Sequence, residues 1–408
     1  MKFEKWTAIL AGAGLVSLAS VAKAEEKSSA VMTALASTTL SGYVDTSAQW
    51  NFETGNANPA PFKFNTPSKA DGFNLDVVQL RIEKPLDESE WAAGYRVDLW
   101  MGPDANTLNT QSTGLAGHGD FAIRQAYVAL RAPVGNGLDL KMGVFDSIIG
   151  YESVESPNNP NYTRSYGHSI EPQTETGLLA SYRFSDLVSA SVGVANTVGP
   201  VINSRAFAPL QTFNPYAESY KAYMGSIAIT APESMGFLQG STLYGGVVNG
   251  FNNSVLGSPL AMPSLNAYVG GTIATPVTGL RLGASWDRLQ VDGNVNNPAL
   301  GKVEADVWSI AGYASFQATE KLSFHGRFEY FTGHTDQGPP AVIGTSGVGN
   351  AIYATTVTAQ YDLWKNVLSR IEFRWDHVEH GDAFGGTVAG SPDRADAYLL
   401  AANVIYKF

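Results

Sequence analysis

AYLLAANVIYKF, residues 397–408, closes the chain with an apolar side chain at every second position. The apolar series runs from Tyr398 to Phe408 and has ring-bearing side chains at both ends. That pattern is typical of a strand with one side in lipid and its aromatics at the two membrane interfaces. An ordinary sheet can also end in this way, so the interpretation depends on the rest of the chain.

The first 24 residues have the three parts of a secretory signal peptide. Two lysines precede an uncharged run over residues 6–21, and an Ala-Lys-Ala triplet ends at position 24. The run is shorter than the roughly 20 strongly apolar residues that a spanning helix needs. We expect residues 1–24 to be cleaved and residues 25–38 to form a periplasmic lead-in, and the lack of Cys excludes a lipoprotein.

The composition fits a membrane protein that crosses with strands. The hydrophobic fraction is only 44%, although Gly (42 residues), Tyr (18) and Phe (19) are abundant. Modest hydropathy is expected of a membrane barrel, because lipid-facing and lumen-facing residues alternate and cancel in any window. The formal charge is −11, and it becomes −13 once residues 1–24, with three Lys and one Glu, are removed. Such a negative chain argues against nucleic acid as a partner.

From Thr39 onward, strand-length segments are separated by connections that alternate between short and long. The seven short ones are 84–90, 132–136, 185–186, 231–236, 275–279, 319–321 and 363–366. The eight long ones, rich in Asn, Gly, Pro and Ser, are 53–72, 102–119, 147–172, 199–218, 251–262, 291–301, 335–349 and 380–392. Short periplasmic turns and long external loops are the signature of outer-membrane barrels, whereas a soluble β-sandwich does not sort its loops by length. The chain is therefore predicted to be all-β, an antiparallel up-and-down transmembrane barrel of about sixteen strands over residues 39–408.

Several strands carry charges on the face opposite their apolar series. In the penultimate strand four charged side chains share one face, and burying each unpaired would cost several kcal/mol. We expect these residues to line a water-filled lumen, where they are solvated, and charges of both signs there favour polar solutes. The predicted lumen-wall residues are Arg96, Asp98, Asp139, Lys141, Arg281, Asp287, Arg327, Glu329, Arg370, Glu372, Arg374 and Asp376. The faces of 77–78 and 123–130 stay open, because either register fits.

The third long connection, residues 147–172, is the candidate constriction of the pore. A loop longer than ~15 residues without secondary structure is usually functional or disordered, and its three tyrosines argue against disorder. In sixteen-stranded general porins the third external loop folds into the lumen. We predict that Glu152, Glu155 and Arg164 line the narrowest point here, with the two glutamates facing wall arginines. The alternative is a loop that lies over the rim of the barrel.

Several short motifs allow a comparison with a known family. They are Gly143-Val144-Phe145, Gly150-Tyr151-Glu152, Asn161-Tyr162-Thr163-Arg164-Ser165 and Thr176-Gly177, preceded by Gly42-Tyr43-Val44-Asp45 and Arg124-Gln125-Ala126-Tyr127-Val128. In these motifs the chain resembles the putative β-barrel porin-2 (OmpL-like) family over roughly residues 40–200. The resemblance implies an outer-membrane barrel. The terminal Phe408 likewise resembles the last residue of bacterial outer-membrane barrels, where it serves as a signal to the barrel-assembly machinery.

These features predict a porin of the bacterial outer membrane, a water-filled channel for the passive diffusion of small hydrophilic solutes and ions. We expect no enzymatic activity, no cofactor and no metal, and contacts with outer-membrane lipid and the barrel-assembly machinery. General porins of this size are often homotrimers, and Gly and Ala patches on the outer wall support that assembly here.

Two alternatives to a porin stay open. One is an outer-membrane adhesin or structural anchor with a narrow or blocked lumen. The other is a Ser/His enzyme on the outer face of the barrel, but Ser323 and His325 share a face that is predicted to point inward.

Overall fold

Sixteen antiparallel strands form a closed barrel, in which each strand pairs with its neighbours in sequence and the first pairs with the last. The protein is known here from a computed structural model, which describes residues 37–53, 55–110, 119–206, 219–251, 263–293, 303–336 and 351–408. The predicted signal peptide and nearly all of the lead-in therefore lie outside the described residues. The predicted fold class and strand number are confirmed.

The strands have the following bounds: β1 Thr39–Asn51, β2 Gly72–Lys84, β3 Ala93–Met101, β4 Phe121–Ala132, β5 Leu138–Asp146, β6 Thr174–Arg183, β7 Val188–Ala195, β8 Ala222–Thr230, β9 Thr242–Phe251, β10 Pro263–Ala274, β11 Leu280–Gly293, β12 Val303–Gln317, β13 Leu322–Asp336, β14 Ala351–Trp364, β15 Val367–Val378 and β16 Asp396–Lys407. Two short helices lie in the long connections, α1 at Pro103–Asn106 and α2 at Tyr166–Ile170. Short 3₁₀ segments occur at Pro67–Lys69, Ser156–Asn158 and Glu233–Leu238, the last of which is kinked at Gly236. Across the described ranges, no helix has both the length and the apolar character needed to cross a membrane.

The barrel closes where β1 meets β16. The register runs from Tyr43 opposite Lys407 to Asn51 opposite Leu399. Beyond the last strand pair, Gly42 and Phe408 exchange two backbone hydrogen bonds of 2.9 and 3.0 Å. Closure satisfies the backbone donors and acceptors that an open sheet edge would leave unpaired, which lipid does not tolerate.

Side chains alternate between an apolar outer wall and an interior that is largely polar. Phe73 and Met142 are 90% and 71% exposed on the outer face. Near the ends of the strands that meet long loops, Trp308, Tyr330 and Tyr353 follow one another around the wall, with ring centroids 5.4 and 5.1 Å apart. Such a row is an aromatic girdle, which places amphipathic rings at the membrane interface.

Two β-bulges interrupt the alternation in the first four strands. Against β1, the register of β2 jumps from Val77 to Leu75, so Asp76 is the extra residue. Against β3, the register of β4 jumps from Gln125 to Ile123, which leaves Arg124 as the extra residue. A bulge sends two successive side chains to the same face. This is why the sequence of 77–78 and 123–130 fits either register.

Candidate functional site

Residues 147–172, called the inner loop below, lie inside the barrel against the wall strands. The ring of Tyr151 stacks on Tyr313 of β12 at 4.0 Å, and the ring of Tyr166 stacks on Phe331 of β13 at 5.2 Å. Ile170 joins the same buried apolar cluster as Tyr166 and Phe331. The apolar side chains of the loop thus pack onto apolar parts of the inner wall.

Asn and Ser side chains give the inner loop its local shape. Asn159 accepts a hydrogen bond from the backbone N–H of Ser153 at 2.8 Å and donates to the carbonyls of Ser153 and Glu155 at 2.6 and 3.0 Å. Ser165 caps α2, because its Oγ accepts from the N–H of His168 at 3.0 Å. These contacts satisfy backbone groups that would otherwise be buried without partners.

Glu155 projects from the inner loop onto three arginines of the wall. Its Oε1 lies 3.2 Å from Arg96 Nη2 and 3.1 Å from Arg124 Nη2, and it also pairs with Arg81 Nη2. We call Arg81, Arg96 and Arg124, on β2, β3 and β4, the arginine cluster. Burial opposes ionisation of Glu155, but the three guanidinium groups outweigh it and hold the pKa of this carboxyl below its usual value.

Asp98 on β3 forms the base of the arginine cluster. It accepts hydrogen bonds from Arg81 at 2.8 and 3.1 Å, from Arg96 at 2.8 and 3.0 Å and from Arg124 at 3.0 Å. Its side chain is fully buried. Asp98 therefore holds the three guanidinium groups in place beneath the loop carboxylate.

Glu152 ties the inner loop to a second part of the wall. Its Oε1 accepts from Arg327 Nη1 at 2.8 Å, and its Oε2 accepts from the backbone N–H of Ser165 at 2.8 Å. Arg327 also donates to Glu329 at 2.7 Å, and Arg374 pairs with Asp376 at 2.8 Å. Arg327 belongs to β13, whereas the arginine cluster belongs to β2–β4, so the two loop glutamates contact well-separated strands.

Other wall charges hold the loop by its backbone. Glu372 accepts from the N–H groups of Tyr162 and Thr163 at 2.6 and 2.9 Å, and Glu329 accepts from the N–H of Tyr166 at 2.6 Å. Arg370 donates to the carbonyls of Ser156 and Asn159 at 2.9 and 2.6 Å. Hydrogen bonds to charged groups are about twice as strong as neutral ones, so this part of the wall fixes the loop conformation.

The charges on β13 and β15 are not solvated, and in this respect the sequence-based expectation is wrong. The side chains of Arg327, Glu329 and Arg374 are 0% exposed. These charges are neither unpaired in an apolar core nor exposed to an aqueous lumen, because the inner loop supplies ion-pair and backbone partners for the wall.

The remaining predicted wall residues do not belong to the wall charges that hold Glu152, Glu155 and the backbone of the inner loop. Asp139 pairs with Arg131 at 2.6 Å, Lys141 lies over the ring of Tyr127 at 4.9 Å, and Arg281 donates to the carbonyl of Gln239 at 3.3 Å. The contacts of Asp139 and Arg281 are near the end of the barrel that carries short turns, and Lys141 lies near the middle of β5. Asp287 instead lies beneath α2, where a Cβ at Gly167 would collide with its carboxyl group.

Sequence reasoning missed Arg81 and Arg124 of the arginine cluster. Arg124 lies at a bulge, where side chains no longer alternate strictly between the two faces of the sheet. Arg81 lies on β2, whose face was left open by the bulge at Asp76. A second buried group was missed for the same reason, since Lys69 pairs with Asp76 and with Asp104 of α1 at 2.6 Å each.

Arg164 differs from the other arginines of the site. It donates to the carbonyls of Tyr162 and Val154 at 2.9 and 3.0 Å, and its guanidinium lies 5.6 Å from the centre of the Phe64 ring. Within the described ranges it has no carboxylate partner. Of the three residues predicted for the constriction, the two glutamates thus contact the wall, and Arg164 contacts the first long loop.

The profile of one protein family matches nearly the whole described chain. The family is described as putative beta-barrel porin-2, OmpL-like, and the match spans residues 37–408. The family predicted from the motifs of residues 40–200 is confirmed, and the match extends through the second half of the barrel. No relative was found among curated protein sequences.

Three solved structures with the same architecture are remote in sequence. An anion-selective porin from Comamonas acidovorans is 11% identical with a TM-score of 0.59, over 91% of this chain and 99% of that one. The outer membrane channel DcaP of Acinetobacter baumannii is 12% identical with a TM-score of 0.58, over 91% and 97%. OmpT of Vibrio cholerae in a trimer form is 10% identical with a TM-score of 0.55, over 91% and 99%. At such identities the similarity concerns the fold.

Proposed function

This chain belongs to the putative beta-barrel porin-2, OmpL-like family and is a porin of the bacterial outer membrane, and we propose that its inner loop forms the constriction of the diffusion channel. The proposal rests on one observation, the contact of Glu155 and Glu152 with opposed groups of wall strands. Glu155 contacts β2, β3 and β4, and Glu152 contacts β13. A segment held in this way crosses the interior and narrows the space that is left for solutes.

Arg81 and Arg96 of the arginine cluster stay 18% and 19% exposed, and charged groups at the edge of the path favour hydrated, polar solutes. An apolar solute would displace water from the charged groups without replacing its hydrogen bonds, whereas a polar solute exchanges water for contacts with these groups. Passage down a gradient needs no chemical step. We accordingly propose that the protein is a channel without enzymatic activity.

Planar-bilayer recording of the purified full-length protein tests both the channel and the constriction. We expect stepwise currents from the wild type. Glu152→Gln combined with Glu155→Gln removes two negative charges, and we expect the cation-to-anion permeability ratio to fall roughly threefold or more. The reason is the size of the Coulomb energy, because the interaction between one unit charge and an ion about 6 Å away is ~0.7 kcal/mol even in water, which corresponds to about a threefold change in permeability. The matched control is Glu88→Gln with Glu90→Gln, two exposed glutamates of the β2–β3 turn.

The possible outcomes separate the two parts of the proposal. A folded protein that gives no current would remove the channel function and support a structural anchor with a blocked lumen. Stepwise currents with reversal potentials that are the same in the site variant and the control would leave a channel whose constriction is elsewhere.

We further propose that the protein assembles as a homotrimer. The support is the outer wall of β10–β13, where Gly271 pairs with Ala284, Ala284 with Gly312, and Ala314 with Gly326. Small side chains allow a second barrel to approach closely. One similar structure, OmpT of Vibrio cholerae, is described as a trimer.

A further inference from the structure

Two carboxyl groups, called the acid pair below, meet where the inner loop ends. Glu171 directly follows α2, Asp287 lies on β11, and their side chains are within hydrogen-bond distance of each other. Glu171 is 9% exposed and Asp287 is 2% exposed, so little water reaches either carboxyl group. In the described part of the chain, neither residue forms an ion pair with Lys or Arg. The acid pair thus differs from Glu152 and Glu155, which contact guanidinium groups.

Two glycines of the inner loop leave room for these carboxyl groups. A Cβ at Gly167 would collide with the carboxyl group of Asp287, and a Cβ at Gly150 would collide with that of Glu171. Gly150 also has a φ of +125°, which residues with a side chain rarely adopt. Glu171 follows Gly167 by four positions, and residues at this spacing lie on the same face of a helix. The acid pair is therefore placed where α2 touches the wall.

The groups around the acid pair do not offset two negative charges. His168 Nδ1 lies 3.4 Å from Glu171 Oε2, but burial holds the pKa of His168 well below its usual value, so the ring is neutral. The other titratable or charged groups that face the acid pair are Tyr151 and Glu152 of the inner loop, Tyr244 of β9, Tyr268 of β10, and Glu329 of β13. Arg327 is already paired with Glu152 and Glu329.

Two buried carboxyl groups in contact are stable only while one of them carries a proton. Two ionised groups would repel each other, whereas a protonated one donates a hydrogen bond to its neighbour. Burial and the nearby Asp287 raise the pKa of Glu171 well above its usual value. The acid pair therefore retains a proton at a pH at which exposed carboxyl groups, with a pKa of about 4, are ionised.

We propose that the acid pair is a pH-sensitive switch, which holds α2 on β11 while it shares one proton and releases this end of the inner loop when the proton is lost. In the released state both carboxyl groups reach water and have ordinary acidity. Release then frees one proton, so a rise in pH favours it by up to about tenfold per pH unit. An effect on the channel current rests on the proposed constriction, but the release itself does not.

Hydrogen exchange followed by mass spectrometry tests the switch in the full-length protein in detergent. After correction for intrinsic exchange rates, we expect the protection of residues 166–171 to fall about tenfold or more between pH 6 and pH 8. Residues 153–159 should keep their protection, because Glu155 and its arginine partners stay charged.

A double variant removes the titrating groups and keeps their shape. Glu171→Gln with Asp287→Asn gives two amides that can still form a hydrogen bond, so the protection of residues 166–171 should no longer depend on pH. The matched control is Glu90→Gln with Asp186→Asn, an exposed glutamate and an exposed aspartate of two short turns. It should show the same fall in protection as the wild type.

Three results would overturn the proposal: equal protection of residues 166–171 at both pH values in the wild type, an equal loss at residues 153–159, or an undiminished pH dependence in the double amide variant. If that variant does not fold, the wild-type measurement still decides. Bilayer recordings on the same samples separate the switch from the channel. A fall in protection without currents would contradict only the channel, and currents with protection that is independent of pH would contradict only the switch.

Discussion

Asp98 and Asp139 show how much the value of one carboxylate depends on where the fold places it. Both accept from arginine, but Asp98 is 0% exposed, whereas the Asp139 side chain is 30% exposed. Breaking a buried ion pair leaves uncompensated charge, and here three guanidinium groups would lose their shared acceptor. Exposed pairs contribute little because water and salt screen them.

Replacing these two residues therefore has different consequences for stability. Asp98→Asn should lower the free energy of unfolding by about 3–5 kcal/mol, and Asp139→Asn by about 0–1 kcal/mol. Thermal unfolding followed by circular dichroism in detergent measures both. Equal losses would mean that the arginine cluster is hydrated rather than buried.

At the scale of elements, the strands were predictable and the contacts of the inner loop were not. A lipid-facing strand must be apolar at every second position, which any single segment such as β16 reveals. The bulges at Asp76 and Arg124 interrupt this alternation. A bulge depends on how two strands pair, which the sequence of one strand alone does not show. Glu155 contacts arginines on three strands. Arg81 and Arg96 precede it by 74 and 59 positions, and Arg124 by fewer, so no local sequence pattern predicts these contacts.

The inner loop can be fixed to the wall by a covalent bond. A Cβ at Gly167 of α2 would lie 3.5 Å from the Cβ of Asp287 on β11, which is within the range of disulfides. The chain has no Cys, so Gly167→Cys with Asp287→Cys introduces one defined pair. We expect the bond to form under oxidation and to reduce fluctuations of the open-channel current, and dithiothreitol should restore them.

Each single cysteine variant is a control for that experiment. Oxidation should leave the currents of both single variants unchanged, and mass spectrometry should find the cross-link only in the double variant. Failure of the pair to form while the barrel remains folded would show that α2 does not lie on β11.

At the scale of the whole molecule, the outer wall decides how barrels associate. A Cβ added at Gly312 or Gly326 would meet no heavy atom within 4 Å, so a large side chain there does not disturb the barrel itself. It would, however, separate two barrels that touch at this surface, because the trimer repeats the same contact around its axis. Gly326→Trp should therefore convert trimers into folded monomers.

The comparison with Ala180→Trp makes this test specific. Ala180 lies on β6, on the same outer face as Leu178, which is 42% exposed, and far around the barrel from β10–β13. Both variants add a large apolar group to the outer wall, so lipid-facing positions should tolerate either change. Light scattering after size exclusion should give one-third of the wild-type protein mass for Gly326→Trp and the full mass for Ala180→Trp. A monomeric wild type would contradict the trimer, whereas the reverse pattern would move the interface to the opposite side of the barrel.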